Sequence, residues 1–256
     1  MLDALARVAS SAAVFCDFDG CLSPIVPAPE DARAARGTSA VLQRLAQRFA
    51  VVAVISGRPV SFLQSRLRAP DVRLVGLYGI EQRIAGRIVT DPEAEGARAA
   101  IEDAVRRLQA DLRDLSGVQV EHKGLAVSIH FRRARDPEAA QRDAEPIVHE
   151  IARTEGLAEV LRGRKVLEIR PRAGGDKGDA VRHVIRETGA RAGLVAGDDV
   201  GDLASFAAAS GLSPSVRVAV GSEESPPELL RRADIVVEDP AAFVALLKQL
   251  ADAADR

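Results

Sequence analysis

Three short apolar runs constrain the fold more than any other feature: Ala12–Cys16, Val51–Ile55 and Ala192–Ala196. Each is too short for an ordinary helix and shows no alternation of polar and apolar residues. A run of this kind is a strand buried on both faces. Strands covered on both sides belong to parallel sheets flanked by helices, and amphipathic stretches lie between these runs. Val41, Leu42, Leu45 and Phe49 recur at helical spacing, so a helix capped by Thr38 and ending near Arg48 is expected. The fold class read from this pattern is α/β, a Rossmann-like doubly wound parallel sheet.

The runs stop abruptly at polar groups. Asp17-Phe18-Asp19-Gly20 follows the first, Ser56-Gly57-Arg58-Pro59 the second, and Gly197-Asp198-Asp199-Val200-Gly201-Asp202 the third. In an open parallel sheet such ends gather at one crevice, where ligands bind. If the first strand continued, Asp17 and Asp19 would lie on one side of it. Two close carboxylates repel unless a cation lies between them or one is protonated. Mg²⁺ suits such a place, because it is hard, prefers oxygen and is commonly held by one or two carboxylates plus phosphate and water.

The middle of the chain reads differently. Pro92 to Leu115 has the pattern of one amphipathic helix, followed by strands at Val118–Glu121 and Leu125–Phe131. A helix over Pro137–Thr154 and strands at Glu159–Leu161 and Val166–Arg170 complete an α+β block. An inserted α+β domain is therefore expected over 96–171, with the core formed by 1–95 and 172–256.

Composition excludes several classes. Net charge is −2 and aromatic residues make up 3%, so neither a basic stripe nor a stacking platform argues for nucleic acid. Cys16 and Cys21 form no C-x-x-C motif, which disfavours a zinc site or a disulfide framework. No apolar run approaches the roughly 18 residues of a membrane span, and no signal-peptide pattern precedes the first strand. A soluble, cytoplasmic protein without membrane contact is expected. The basic residues are overwhelmingly arginine, with lysine only at Lys123, Lys165, Lys177 and Lys248. A lysine here offers what arginine cannot, a compact point charge.

Paired carboxylates, a hydroxyl at Ser56, a cation at Lys177 and the Asp198/Asp199/Asp202 group make a kit for phosphoryl transfer. Phosphate-monoester hydrolysis needs acceleration of up to about 10²¹-fold, and a general acid supplies only about 10²–10⁴. A metal, a covalent nucleophile and fixed cations must act together.

Asp17-Phe18-Asp19-Gly20-Cys21, Ser56-Gly57-Arg58, Gly175-Asp176-Lys177-Gly178 and Gly197-Asp198-Asp199-Val200-Gly201-Asp202 resemble the motifs of the haloacid dehalogenase-like (HAD) phosphatase superfamily. The resemblance implies a HAD core with an inserted α+β cap. It implies Asp17 as nucleophile, Asp19 as general acid and base, and Ser56 and Lys177 as phosphate-binding catalytic groups. It places Mg²⁺ on Asp17, the backbone carbonyl of Asp19 and Asp198, with Asp199 and Asp202 in support. Cys21 and Gly201 depart from the usual hydroxyl or Val and Thr at their positions.

Ser56-Gly57-Arg58-Pro59, Gly76-Leu77-Tyr78-Gly79-Ile80-Glu81, Glu121-His122-Lys123, His130-Phe131-Arg132 and Leu167-Glu168-Ile169-Arg170-Pro171 further resemble trehalose-6-phosphate phosphatases. Tyr78 stands where that family has His. The resemblance implies trehalose 6-phosphate as substrate, a functional link to a trehalose-6-phosphate synthase, and substrate contacts from Gly20, Gly57, Arg58, Glu81, Glu121, Lys123, His130, Arg132 and Glu168. A carboxylate accepts from sugar hydroxyls and a lysine donates to them, so Glu121 and Lys123 on one strand face would bracket a glucose unit. Two alternatives stay open on sequence: a phosphatase for sucrose 6-phosphate or a glucosylglycerate-type phosphate, and a non-catalytic subunit that binds trehalose 6-phosphate. Intact Asp17, Asp19, Lys177 and Asp198 argue against the second.

Overall fold

The computed structural model describes every residue except Ala85, Ala158, Arg164, Arg172, Gly174, Glu223 and Glu224, and only the backbone of Glu159. The chain divides into two compact units, one of Met1–Val89 with Gly175–Arg256 and one of Thr90–Gly174. Among the described residues no helix is long and apolar enough to cross a membrane.

The first unit is built on the strands β1 (Ala12–Cys16), β2 (Val51–Ile55) and β3 (Arg73–Gly76), the hairpin β4 (Glu81–Ile84) and β5 (Arg87–Thr90), and, after the second unit, β10 (Ala192–Gly197), β11 (Ser215–Val220) and β12 (Ile235–Val237). Their order in the sheet is β12-β11-β10-β1-β2-β3-β4-β5. Pairing is parallel from β12 to β3 and turns antiparallel between β3 and β4.

The unbroken apolar runs are explained by two cores. Ala12, Val14 and Cys16 face one core with Val52, Val54 and Leu194. Helices α1 (Leu2–Ala6), α2 (Thr38–Ala46), α3 (Val60–Arg66) and α10 (Pro240–Ala254) cover that side. Ala13 and Phe15 face the other core with Ala53, Ile55 and Val195. Helices α7 (Lys177–Thr188), α8 (Asp202–Ala208) and α9 (Pro227–Arg232) cover it. Every second residue thus meets a different helical layer, so no position along β1 can be polar. The sheet is the doubly wound α/β fold that the runs imply. The chain leaves β1 towards β2 and β3 on one side and returns through β10 to β12 on the other. The order reverses between β1 and β10, and the crevice at such a reversal is where ligands bind in this class of sheet.

Two local readings are corrected. Thr38 does not cap α2: Gly37 precedes the first turn, and Thr38 Oγ1 donates to the Ala35 carbonyl (2.7 Å) from within the helix. The stretch read as one helix from Pro92 is two, α4 (Pro92–Gly96) and α5 (Arg98–Asp111), parted at Ala97, whose ψ is 1°. Gly96 sits at the break, where its low helix propensity makes interruption cheap. Asp91 caps α4 by accepting from the N–H groups of Glu93 and Ala94.

The second unit adds α6 (Pro137–Thr154) and a sheet of β6 (Gln119–His122), β7 (Val127–His130), β8 (Glu159–Gly163) and β9 (Val166–Arg170), in the order β6-β7-β9-β8. All its pairings are antiparallel. Val127, Ile129, Leu167 and Ile169 form one core with Ile101 and Leu108 of α5 and Val148 and Ile151 of α6. The alternate residues Ser128, Glu168 and Arg170 are buried although polar.

Candidate active site

Strand β1 ends at Cys16, and the Asp17 N–H extends its pairing by one residue onto the Ala196 carbonyl (3.1 Å). The chain then turns back, with the Leu22 and Ser23 N–H groups donating to the Phe18 carbonyl. The strand therefore does not continue, and Asp17 and Asp19 take different partners. Asp17 is buried, and its Oδ2 lies 2.8 Å from Lys177 Nζ. Asp19 is half-buried and receives a two-pronged grip from Arg58, Nε to Oδ2 at 2.8 Å and Nη2 to Oδ1 at 2.9 Å.

Lys177 is set at the first turn of α7 by a reciprocal cap. Asp176 accepts from the Asp179 N–H (2.8 Å), and Asp179 accepts from the Asp176 N–H (3.0 Å). Its ammonium group donates to both Asp17 and Asp202 Oδ1, each at 2.8 Å. The other oxygen of Asp202 accepts from the N–H groups of Asp198 (3.1 Å) and Asp199 (3.2 Å). Asp202 thus ties the loop after β10 to the lysine. Asp199 turns its Oδ1 to the N–H of Val200 (2.7 Å).

Ser56 is buried at the end of β2, and its Oγ accepts from the Arg58 N–H (3.2 Å). Two left-handed residues, Leu77 (φ 49°) and Tyr78 (φ 58°), fold the next turn against this loop, donating N–H groups to the Arg58 and Ser56 carbonyls. The Tyr78 hydroxyl oxygen lies only 2.5 Å from where a Cβ on Gly57 would stand, so a side chain there would have to displace the Tyr78 ring. Glu81 Oε2 accepts from the Val60 N–H (2.8 Å) at the start of α3. One aromatic residue here escaped sequence reasoning. Phe62 carries the Arg58 guanidinium 4.5 Å from its ring centroid and that of Arg66 at 4.6 Å. Its place one turn after Arg58 on α3 was the only available signal.

In the second unit, β6 ends at His122, and Lys123 sits in the turn beyond it, its N–H donating to the Ala126 carbonyl (2.8 Å). Lys123 Nζ donates to Glu168 Oε2 (2.6 Å), both side chains being buried. Glu121 pairs instead with His130 Nε2 (2.8 Å). Arg132 lies past the end of β7 and is half-buried. A contributor missed in the sequence is Ser128, whose Oγ also donates to Glu168 Oε2 (2.8 Å).

The family model for trehalose-phosphatases matches residues 15–229, which holds every one of these groups. The chain belongs to the trehalose-phosphatase family. A trehalose-phosphate phosphatase of Mycobacterium avium (strain 104) is 33% identical over 95% of this chain, which spans 63% of that relative's length. A crystal structure of a trehalose-6-phosphate phosphatase related protein superposes with a TM-score of 0.79 at 26% identity, over 94% of this chain and 97% of the other. The C-terminal domain of a C. albicans trehalose-6-phosphate phosphatase shares the fold, with a TM-score of 0.78 at 23% identity over 98% of this chain and 95% of that one.

Within this trehalose-phosphatase fold, charge decides what the cluster can hold. Asp17, Asp198 and Asp202 are all buried, and each offers one oxygen such that the three lie within 4.8 Å of one another. Carboxylates gathered this closely repel one another, and a divalent oxygen-preferring cation is suited to lie among them. Gly20 shapes the same place. At φ +77°, a Cβ on it would stand 2.1 Å from Asp198 Oδ2, so only glycine lets the first loop pass so close to that carboxylate. Gly20→Ala is expected to displace Asp198. Its effect should appear as a loss of the thermal stabilisation that divalent cation confers on the wild type; an unchanged metal-induced shift in Tm would refute it.

Burial pushes the Asp17 carboxyl up to about 7; Lys177 opposes the rise, and Asp202 and Asp19 add to it. Burial works to lower the Lys177 pKa, but Asp17 and Asp202 outweigh it and hold the ammonium well above its ordinary value. Burial likewise pushes the Cys16 and Cys21 thiols up, so both are packed as small apolar groups rather than nucleophiles. The sign of the Asp17 effect on stability follows from linkage. Its folded pKa exceeds the unfolded value of about 3.9, so the folded state binds more protons between those pH values and stability falls as pH rises. Metal-free protein should therefore lose stability to urea from pH 5 to pH 8, and Asp17→Asn should flatten that slope. A metal-free wild type that gains stability over this range would contradict the assignment.

Proposed function

We propose that this protein hydrolyses trehalose 6-phosphate to trehalose and phosphate through an aspartyl phosphate on Asp17, with Mg²⁺ as cofactor. The observation that carries the reading is the buried Asp17–Lys177–Asp202 chain beside Asp198, in a member of the trehalose-phosphatase family. Asp17 attacks phosphorus, and its oxygen–phosphorus bond forms as the bond to the sugar oxygen breaks. Lys177 offsets the charge gathered on the nucleophile and the phosphoryl oxygens. Ser56 Oγ accepts from the Arg58 N–H, which leaves its own O–H free to donate to a phosphoryl oxygen. Asp19 first takes up a proton from solvent, gives it to the departing sugar oxygen, then takes a proton from the water that cleaves the aspartyl phosphate. To do this it exchanges its grip on Arg58 for contact with substrate, so Arg58 holds the Asp19 carboxylate in place until substrate arrives. Mg²⁺ held by Asp17 and Asp198, with Asp199 and Asp202 in support, would supply electrostatic stabilisation of the transferring group.

Sugar recognition is assigned to the second unit. Glu121, Lys123, His130, Arg132 and Glu168 carry acceptors and donors suited to hydroxyl groups. A site that pairs buried polar groups with hydroxyls rejects analogues that lack them. The test is phosphate release from trehalose 6-phosphate, sucrose 6-phosphate, glucose 6-phosphate and p-nitrophenyl phosphate, with and without Mg²⁺. Preference for trehalose 6-phosphate, abolished by a chelator and restored by Mg²⁺, is expected. Preference for sucrose 6-phosphate would sink the substrate assignment, and no release from any of them would sink the chemistry.

A further inference from the structure

We propose that Ser128 is a positioning residue for substrate specificity: it fixes the Glu168 carboxylate so that one oxygen is kept for a sugar hydroxyl. This rests on the function proposed above. The register of the second sheet sets Glu121 opposite Ser128, and Ser128 opposite Glu168, in one row across β6, β7 and β9. Lys123 Nζ and Ser128 Oγ both donate to the same atom, Glu168 Oε2, at 2.6 and 2.8 Å. Glu168 is 5% exposed, and its other oxygen, Oε1, is buried with no hydrogen-bond partner among the described residues. A buried carboxylate oxygen without a donor is unfavourable, so the arrangement calls for a ligand group that donates. A hydroxyl does so; a phosphoryl oxygen does not.

Lysine alone would not produce this asymmetry. Its ammonium has three rotatable donors on a flexible stem and can share itself between both oxygens of a carboxylate. Ser128 is fully buried and held by the backbone of the central strand β7, so its short side chain reaches one oxygen only. With both donors on Oε2, the carboxylate cannot swing to satisfy Oε1 internally. Ser128 itself touches no substrate in this scheme.

The test uses Ser128→Ala and Ser128→Thr in the full chain, read with trehalose 6-phosphate and with p-nitrophenyl phosphate, which has no sugar hydroxyls. Loss of one hydrogen bond to a charged group predicts a KM for trehalose 6-phosphate raised roughly tenfold in Ser128→Ala, with kcat and p-nitrophenyl phosphate turnover within about twofold of wild type. Ser128→Thr, which keeps the hydroxyl, should recover most of the KM. Equal losses on both substrates, or an unchanged KM, would overturn the positioning role alone. A wild type that turns over the two substrates equally would overturn the functional reading with it. Should the alanine variant fail to accumulate, Ser128→Cys, close in size but a weak donor, must show the same selective rise in KM.

Discussion

Asp17→Asn should abolish phosphate release, by about 10⁴-fold or more, because an amide cannot form the proposed aspartyl phosphate. The loss should fall on kcat, since Lys177 and Ser56, the groups proposed to bind phosphate, remain. The same variant should fold at least as stably as wild type at pH 8 without metal. It removes a carboxylate that burial has pushed up to about 7 and that is therefore costly in its ionised form. Inactivity together with undiminished stability separates a nucleophile from a structural residue. Activity within tenfold of wild type would mean that another group attacks phosphorus.

Lys177→Met is expected to do the opposite to stability. The ammonium touches Asp17 and Asp202 at 2.8 Å each and is buried with them. Removing one partner of a buried ion pair costs about 3–5 kcal/mol, because the remaining charges are left uncompensated. Without the lysine, the Asp17 carboxyl loses the charge that opposes its rise and moves further above its unfolded value, so the destabilisation grows as pH rises and shrinks on acidification. Urea midpoints for metal-free Lys177→Met should approach wild type near pH 5 and fall well below it at pH 8. Added Mg²⁺ should restore part of the loss, by about 2.7 kcal/mol at a hundred times its Kd. Activity should stay lost, since on the proposed mechanism the metal does not replace the cation on Asp17. A variant as stable as wild type at pH 8 without metal would show that Lys177 does not hold the carboxylates together.

Much of this site is legible without coordinates because its residues sit at strand ends. A continuous apolar run demands burial on both faces, and the first polar residue after it must lie at the sheet's edge, so Asp17, Ser56 and Asp198 could be placed from the sequence. Lys177 was legible for a different reason: lysine is scarce in a chain that otherwise uses arginine. Glu81 shows the limit. The motif does not tell that one of its carboxylate oxygens, Oε2, accepts from the Val60 N–H. That contact joins β4 to the start of α3 across 21 positions of sequence.

What the sequence determined by itself is the α/β class, the strand ends and the residue types that gather there. Burial and periodicity are local properties that a single stretch of chain reveals. Only the tertiary structure decided which charge faces which. Asp17 and Asp19 are two residues apart, but the turn at Phe18–Ser23 sends one to Lys177 and the other to Arg58. Glu121 and Lys123 are equally close in sequence, but the end of β6 lies between them, so Lys123 reaches Glu168 and Glu121 meets His130. Spacing tells which face a residue takes while a strand lasts; where the strand ends, partners are chosen by sheet register and by the need of each buried charge for an opposite one.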